Sequence, residues 1–407
     1  MPDAVIAAAA RSPIGRAVKG SLAQLRPDDL AAQVVRAALD QVPQLDVTEI
    51  EDLHMGCGEP YDEQGANIAR RVAVQLGLDG LPGTTVNRFC SSSLQTTRMA
   101  LHAIRAGEGD VFISAGVECV SRYVDPRGGG SVPERFVNPS FGEAAARTAE
   151  IAEANERWSD PRDEGLLPDV YIGMGQTAEN VATLRGISRR EQDEFAVRSQ
   201  QRAEAAIADG FFAREIVPVT LPDGRVVEAD DGPRPGTTYE RLAALKPVFR
   251  ADGTVTAGNA CPLNDGAAAL VVMSDVRARE LGIEPLARIV STGVSALSPE
   301  IMGLGPVEAS RRALARAGMT IDDVDLVEIN EAFAVQVIAS ARELGIDEDK
   351  LNVHGGAIAL GHPFGMTGAR IATTLVNGLR SRDKQFGLET MCVGGGQGMA
   401  LILERLS

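Results

Sequence analysis

Aromatic side chains are scarce in this 407-residue chain; they make up 4% of it, with a single tryptophan. A stacking platform for single-stranded nucleic acid needs rows of aromatic rings, so that function is excluded. Positive charge is also short. Lys and Arg number 40 against 56 Asp and Glu, a net charge of −16, which argues against broad affinity for nucleic acid or an anionic membrane. No apolar run approaches the ~18 residues of a membrane span. The apolar stretch near the start, VIAAAA, is short and follows an acid, unlike a secretory signal, and it reads as a buried strand. The five cysteines are odd in number and dispersed, the usage of reduced cytoplasmic thiols rather than of a disulfide framework. No Cys or His pair has zinc-site spacing. The glycine runs match neither the P-loop nor the dinucleotide fingerprint, so neither a metal nor a nucleotide cofactor is expected.

What the sequence does contain is an alternation of strand and helix patterns, which predicts an α/β layered protein. In residues 1–120, AVIAAAA, IEDLHMGC, TTVNRFC and DVFISAG read as strands. DLAAQVVRAALDQV and SLQTTRMALHAIRAG read as helices, the second closed by Gly107. Residues 121–250 differ, with GGG at 128–130, many prolines and mixed charge. They read as an inserted loop domain with one clear helix after Ser188, opened by a Ser188/Glu191 capping box and stopped at Gly210. TVTAGNACPLNDGAAALVVMS then reads as a loop, a small-residue helix and a strand. From about 285 the first pattern repeats: VDLVEIN corresponds to EDLHMGC, KLNVHGG to TTVNRFC, and GLETMCVGGG to DVFISAG. The expected division is a first half (1–120 plus 251–284), the insert (121–250) and a second half (285–407). A duplication of this kind places a site between the halves.

Few residues are available for chemistry. Of four histidines, His54 and His102 sit among apolar neighbours and read as structural. His354 and His362 share a glycine-rich turn ahead of a helix, where close backbone approach is possible. Cys57 and Cys119 read as small buried residues. Cys90 stands where a strand ends and a helix begins, a place whose unpaired N–H groups lower a thiol pKa from ~8.5. Cys392 precedes three glycines whose amides suit an oxyanion. Arg234, Arg241, Lys246 and Arg250 form a basic island beside the acidic run VEADD, either a solvated face or a seat for an anionic ligand.

VNRFCSSSLQT (86–96), GQTAENVA (175–182), GTVTAGNACPLNDGAAA (253–269), NEAFAVQ (330–336), GGAIALGHPFGMTGAR (355–370) and CVGGGQGMA (392–400) together resemble the thiolase family, in wording closest to its degradative, bacterial β-oxidation members. The resemblance implies two βαβαβ-type halves in a five-layered α/β/α/β/α core with an inserted loop domain. It implies thiolytic cleavage of 3-ketoacyl-CoA, with acyl-CoA and CoA as substrates and no permanently bound cofactor. Cys90 matches the nucleophile, His362 its base, Cys392 the acid/base at the acetyl α-carbon, and Asn330 the holder of an oxyanion-hole water. The amides of Cys90 and Gly394 match a second oxyanion hole. Met174, Arg234, Phe249, Ala257, Ala260, Cys261, Ala332 and Phe333 match the CoA contacts, and the basic island gains a purpose through Arg234. A homodimer or homotetramer is implied, with a hydratase–dehydrogenase subunit as a further partner in some relatives.

Three positions depart from the family wording. Gly173 precedes Met174 where many acetoacetyl-CoA-forming members have His. Cys261 replaces Ser, and Ser93 replaces Gly. Alternatives to a degradative thiolase are an acetoacetyl-CoA-forming acetyltransferase, a decarboxylating ketosynthase, and a non-catalytic acyl-CoA or sterol carrier. NEAF and Cys392 speak against the ketosynthase, and the intact reactive residues against the carrier.

Overall fold

The computed structural model describes residues 1–124 and 136–407; the glycine run at 128–130 lies outside them. Nine strands build the core: β1 Ala4–Arg11, β2 Asp52–Gly56, β3 Gly83–Val86, β4 Val111–Cys119, β5 Asn264–Ser274, β6 Ala287–Ala296, β7 Leu326–Ile329, β8 Phe386–Val393 and β9 Gln397–Arg405. Their order shows the duplication directly. The first half runs β1-β5-β4-β2-β3 and the second β6-β9-β8-β7, with Leu351 bridging parallel to Val327 of β7 where a fifth strand would lie. The pairing senses also correspond. β1–β5 and β5–β4 are antiparallel, as are β6–β9 and β9–β8, while β4–β2 and β2–β3 are parallel, as is β8–β7. The halves meet along a short seam, Val5 opposite Arg288 and Ile6 opposite Ala287.

Helices α1 Pro27–Leu39 and α2 Ser92–Ala106 belong to the first half. In the insert lie α3 Met174–Arg185 and α4 Arg189–Ala208. The second half contributes α5 Gly305–Ala317, α6 Ala334–Leu344 and α7 Thr367–Ser381. Three apolar clusters arrange these into layers. One packs α1 on the outer face of the first half-sheet. The second packs α2 and α7 between both half-sheets, and the third packs α5 and α6 on the outer face of the second half-sheet. This is the five-layered α/β/α/β/α arrangement. In β1, Ala4, Ile6 and Ala9 face the central layer and Val5, Ala8 and Ala10 the outer one. The change of parity falls at the register shift between Ile6 and Ala8, because one extra residue turns every later side chain over.

Most predicted elements form, including α4 with its Ser188/Glu191 capping box and α2 ending at Gly107 with φ of 77°. Three differ. The small-residue helix expected before Ser274 does not exist. GAAALVV is instead the centre of β5, completely buried and paired with β1 on one side and β4 on the other. Alanines there allow helices on both faces to approach closely, so small side chains reflect packing rather than helix propensity. TTVNRFC stops being a strand at Val86, because the chain turns through Asn87 and Arg88 into a short 3-10 turn at Phe89–Ser91. KLNVHGG supplies only the Leu351 bridge, since Asn352 adopts φ of 45° and leaves the sheet.

The central helix pair decides where the site lies. A side chain at Gly368 would meet the Leu94 amide at 2.3 Å, so only glycine lets the starts of α2 and α7 touch. Ser93 resolves one of the departures from the family wording. Its hydroxyl accepts the Ala369 amide at 2.9 Å, an unpaired N–H in the first turn of α7, whose own N-cap Met366 supplies no side-chain acceptor. The serine of one helix thus caps the other. Ser93→Ala is expected to lower stability by about 1 kcal/mol, read as a shifted urea midpoint with unchanged slope.

Candidate active site

Cys90 is half-buried on the 3-10 turn leading into α2. The preceding Phe89 has φ of 43°, the left-handed region that a bulky residue enters only when its surroundings hold it there. The amides of Gly394 and of Cys90 itself are aimed at the sulfur, but burial outweighs them and pushes the thiol up to about 12. This overturns the expectation that the helix start lowers the thiol pKa. Burial thus favours the neutral thiol, and ionisation needs a base.

His362, the expected base, has a defined tautomer. His362 is buried, and its backbone amide is held by Asn264 Oδ1 at 3.0 Å. Its Nδ1 lies 2.6 Å from Thr367 Oγ1, and the Thr367 hydroxyl donates its one proton to the Pro363 carbonyl at 2.7 Å. Thr367 can therefore only accept from the ring, which fixes the proton on Nδ1 and leaves Nε2 as the free base. Nε2 faces Asn330 Nδ2 at 3.2 Å, and among the described residues Asn330 Oδ1 is buried without a partner, an acceptor fit to hold a water. Burial, assisted by the buried Arg370, drives His362 down to about 3.

Cys392, near the end of β8, is completely buried, and burial raises its thiol well above the usual range. The Cys392, Cys90 and Cys261 thiols oppose one another's ionisation, so the three lie within electrostatic reach. A side chain at Gly394 would stand 3.3 Å from the Phe89 ring, so this glycine lets the loop after β8 close on the Cys90 turn. The expected CoA contacts also gather. Cys392 shares an apolar cluster with Ala332, Phe333 and the partly buried Ala260. Ala260 bridges Phe333, and Cys261 N–H donates to the Ala332 carbonyl at 3.0 Å. The Phe249 ring lies edge-on to Phe333 and packs over Gly175, next to Met174. Met174, Phe249 and Ala257 are exposed, as a ligand groove requires.

Arg234 is exposed beside Arg16. The basic island is smaller than the sequence suggested, because Arg250 turns inward to Gln176 Oε1 at 2.9 Å and Asn180 Oδ1 at 2.6 Å. Its guanidinium secures α3 instead of facing a ligand. His54 is buried beside Asp52, as expected of a structural residue, whereas His102 is exposed on α2. His354 is buried and stacked on Phe211.

Four positioning residues escaped sequence reasoning: Thr367, Asn264, Arg88 and Glu118. Arg88 donates to Gln397 Oε1 at 2.9 Å, and Gln397 Nε2 donates to the Gly394 carbonyl at 3.2 Å, tying the Cys90 turn to the Gly394 loop. Glu118, buried at the end of β4, accepts the amides of Gly58, Glu59 and Gly365 and the side chain of Gln64, fixing the loop that carries His362. An acid inside the apolar run VFISAGVEC was the available signal for Glu118.

The family profile described as "Thiolase, N-terminal domain" matches residues 4–276, and that for "Thiolase, C-terminal domain" matches residues 283–405. The chain belongs to the thiolase family. It is 43% identical to the 3-ketoacyl-CoA thiolase of Bacillus subtilis, covering 99% of this chain and 100% of that one. It is 44% identical to the 3-oxoadipyl-CoA/3-oxo-5,6-dehydrosuberyl-CoA thiolase of Escherichia coli, covering 100% of both. Among solved structures, the Bacillus anthracis acetyl-CoA acetyltransferase superposes with a TM-score of 0.85 at 40% identity, over 100% of this chain and 99% of that one. Among the described residues no cluster suited to a metal ion occurs and no helix is long and apolar enough to cross a membrane.

Two outcomes are expected of this thiolase. Thr367→Val, which removes the acceptor that sets the tautomer, lowers kcat by about ten- to a hundredfold with KM for CoA unchanged, while Thr367→Ser restores the rate; steady-state kinetics of both variants check this. His362 binds a proton in the unfolded chain below about pH 6.5 but in the folded chain only near 3, so acidification favours the unfolded state. Between those limits the wild type is expected to lose about 1.4 kcal/mol per pH unit more than His362→Asn, measured by urea unfolding across that range.

Proposed function

We propose that this chain is a 3-ketoacyl-CoA thiolase, cleaving 3-ketoacyl-CoA with free CoA to acetyl-CoA and a shortened acyl-CoA. The observation that carries this reading is the convergence of Cys90 with Gly394 and Cys392 from the opposite half, together with a buried histidine whose tautomer leaves Nε2 unprotonated. His362 Nε2 takes the Cys90 thiol proton as the sulfur adds to the substrate's C3 ketone. The tetrahedral oxyanion accepts hydrogen bonds, then collapses. The C2–C3 bond breaks, the acyl group stays on Cys90 as a thioester, and the electron pair passes to the acetyl-CoA enolate, which Cys392 protonates. The Cys392 thiolate takes the thiol proton of free CoA as its sulfur attacks the thioester, and the departing Cys90 sulfur recovers the proton held by His362. The Cys90 and Gly394 amides serve one oxyanion, and Asn330 with its water and His362 serve the other. No cofactor takes part in these steps.

CoA lies over the insert, its pantetheine along Met174, Phe249, Ala257, Ala260, Cys261, Ala332 and Phe333, and its phosphates toward Arg234. Residues 1–120 with 251–284, 121–250, and 285–407 are the two halves and the loop domain. The free edge of β3, next to the Cys90 turn, suits pairing with a second copy in a cytoplasmic homodimer or homotetramer. A hydratase–dehydrogenase subunit is a further partner consistent with the β-oxidation role.

The test is thiolysis of acetoacetyl-, medium-chain 3-ketoacyl- and 3-oxoadipyl-CoA with mass spectrometry of trapped protein. Cys90→Ala is expected to abolish turnover and the acyl adduct. Cys392→Ala keeps the adduct from a simple acyl-CoA yet loses Claisen condensation. Normal condensation by Cys392→Ala, or decarboxylative condensation of a malonyl thioester without thiolysis, refutes the assignment.

A further inference from the structure

A second cationic recess lies at the far end of α7, roughly 20 Å along the helix from the His362 loop at 1.5 Å per residue. Arg214, Asn377, Arg380 and Ser381 line a space of about 420 Å³. In a chain with 56 acids and 40 bases, arginines find carboxylates easily, yet Arg214, Arg380 and the adjacent Arg382 have no side-chain partner among the described residues. Acids of the neighbouring segments have other partners. Glu215 is held by Arg11 at 2.6 Å and also accepts Asn377 Nδ2 at 3.4 Å, while Glu331 is held by Ser199 at 2.6 Å, Glu348 by Arg198, and Asp383 by Arg405 at 2.8 Å. Arg202 turns to the backbone carbonyls of Leu351, Asn352 and Glu348 instead of to a carboxylate.

Behind the recess, His354 stacks on Phe211 with ring centres 3.7 Å apart, and its ring lies against Gly378 on the inner side of α7. His354 is 7% exposed, and its Nδ1 has no hydrogen-bond partner among the described residues. Burial, together with the charges of Arg382, Arg202 and Arg214, holds it down to about 4. The imidazole therefore sits in a positive potential to which those three arginines contribute.

We propose that this recess binds a small polyanion of the phosphate class, with the Arg214 and Arg380 guanidiniums forking onto phosphate oxygens and Asn377 supplying a neutral donor. Paired guanidiniums suit planar two-point contact with phosphate oxygens. The volume is at the lower end of small-molecule sites and exceeds a single phosphate, which points to a ligand carrying two phosphoryl groups. The lining has no aromatic side chain, so no nucleobase is read there. The site is separate from the groove assigned to CoA and stands whether or not that assignment does.

The experiment is calorimetric titration of the full chain, saturated with CoA, using inorganic pyrophosphate, with inorganic phosphate and citrate in parallel. Saturable binding of one pyrophosphate is expected, weakened about tenfold or more in Arg214→Gln/Arg380→Gln, with thiolysis and the unfolding midpoint unchanged. In the wild type the His354 ring titration, followed by NMR, moves upward on binding, a readout that needs no variant. Absent saturable binding, equal affinity in the double variant, or a His354 titration that does not move overturns the site. Citrate binding as tightly as pyrophosphate overturns its phosphate class.

Discussion

The contact between the first turns of α2 and α7 is the constraint on which the site depends. Gly368 against the Leu94 amide and Ser93 against the Ala369 amide bring two helix starts from opposite halves side by side. Each start is entered by a loop carrying one reactive residue, Cys90 in the first half and His362 in the second. Duplication alone would produce two equivalent loops. The approach of the helices makes them neighbours, and the divergence of their side chains gives one loop a thiol and the other an imidazole.

Electrostatics in the site is dominated by desolvation. Burial pushes the Cys90 and Cys392 thiols up and His362 down, so it favours the neutral form of all three groups. Neutrality suits a site that must admit a thioester and generate charge only in passing. Oriented amides and the fixed imidazole tautomer are then the groups that stabilise transient charge, and they do so without reorganising.

Much of the fold was legible in the sequence. Strand and helix periodicity located both halves, and the Ser188/Glu191 box placed α4. What periodicity missed was β5, because GAAALVV is small and apolar throughout and its strand character comes from the partners on either side. The reactive residues were legible because each sits in a motif of unusual composition. Their supports were not. Thr367, Asn264, Arg88 and Glu118 are ordinary polar residues whose meaning comes from partners that the fold alone brings close. The pKa of Cys90 was misjudged for the same reason: a helix start is local and visible in sequence, whereas the burial that outweighs it is assembled from both halves. Arg250 looked like a surface charge until its amide partners on α3 were known.

The seam between the half-sheets is only two residue pairs long, and Cys90, His362 and Cys392 are distributed across it. During synthesis Cys90 emerges long before His362 and Cys392, and its turn is held through Arg88 by Gln397. Assembly of the site therefore waits until Gln397 has been made. A product that stops short of it retains the thiol but lacks the residues that the second half brings to it.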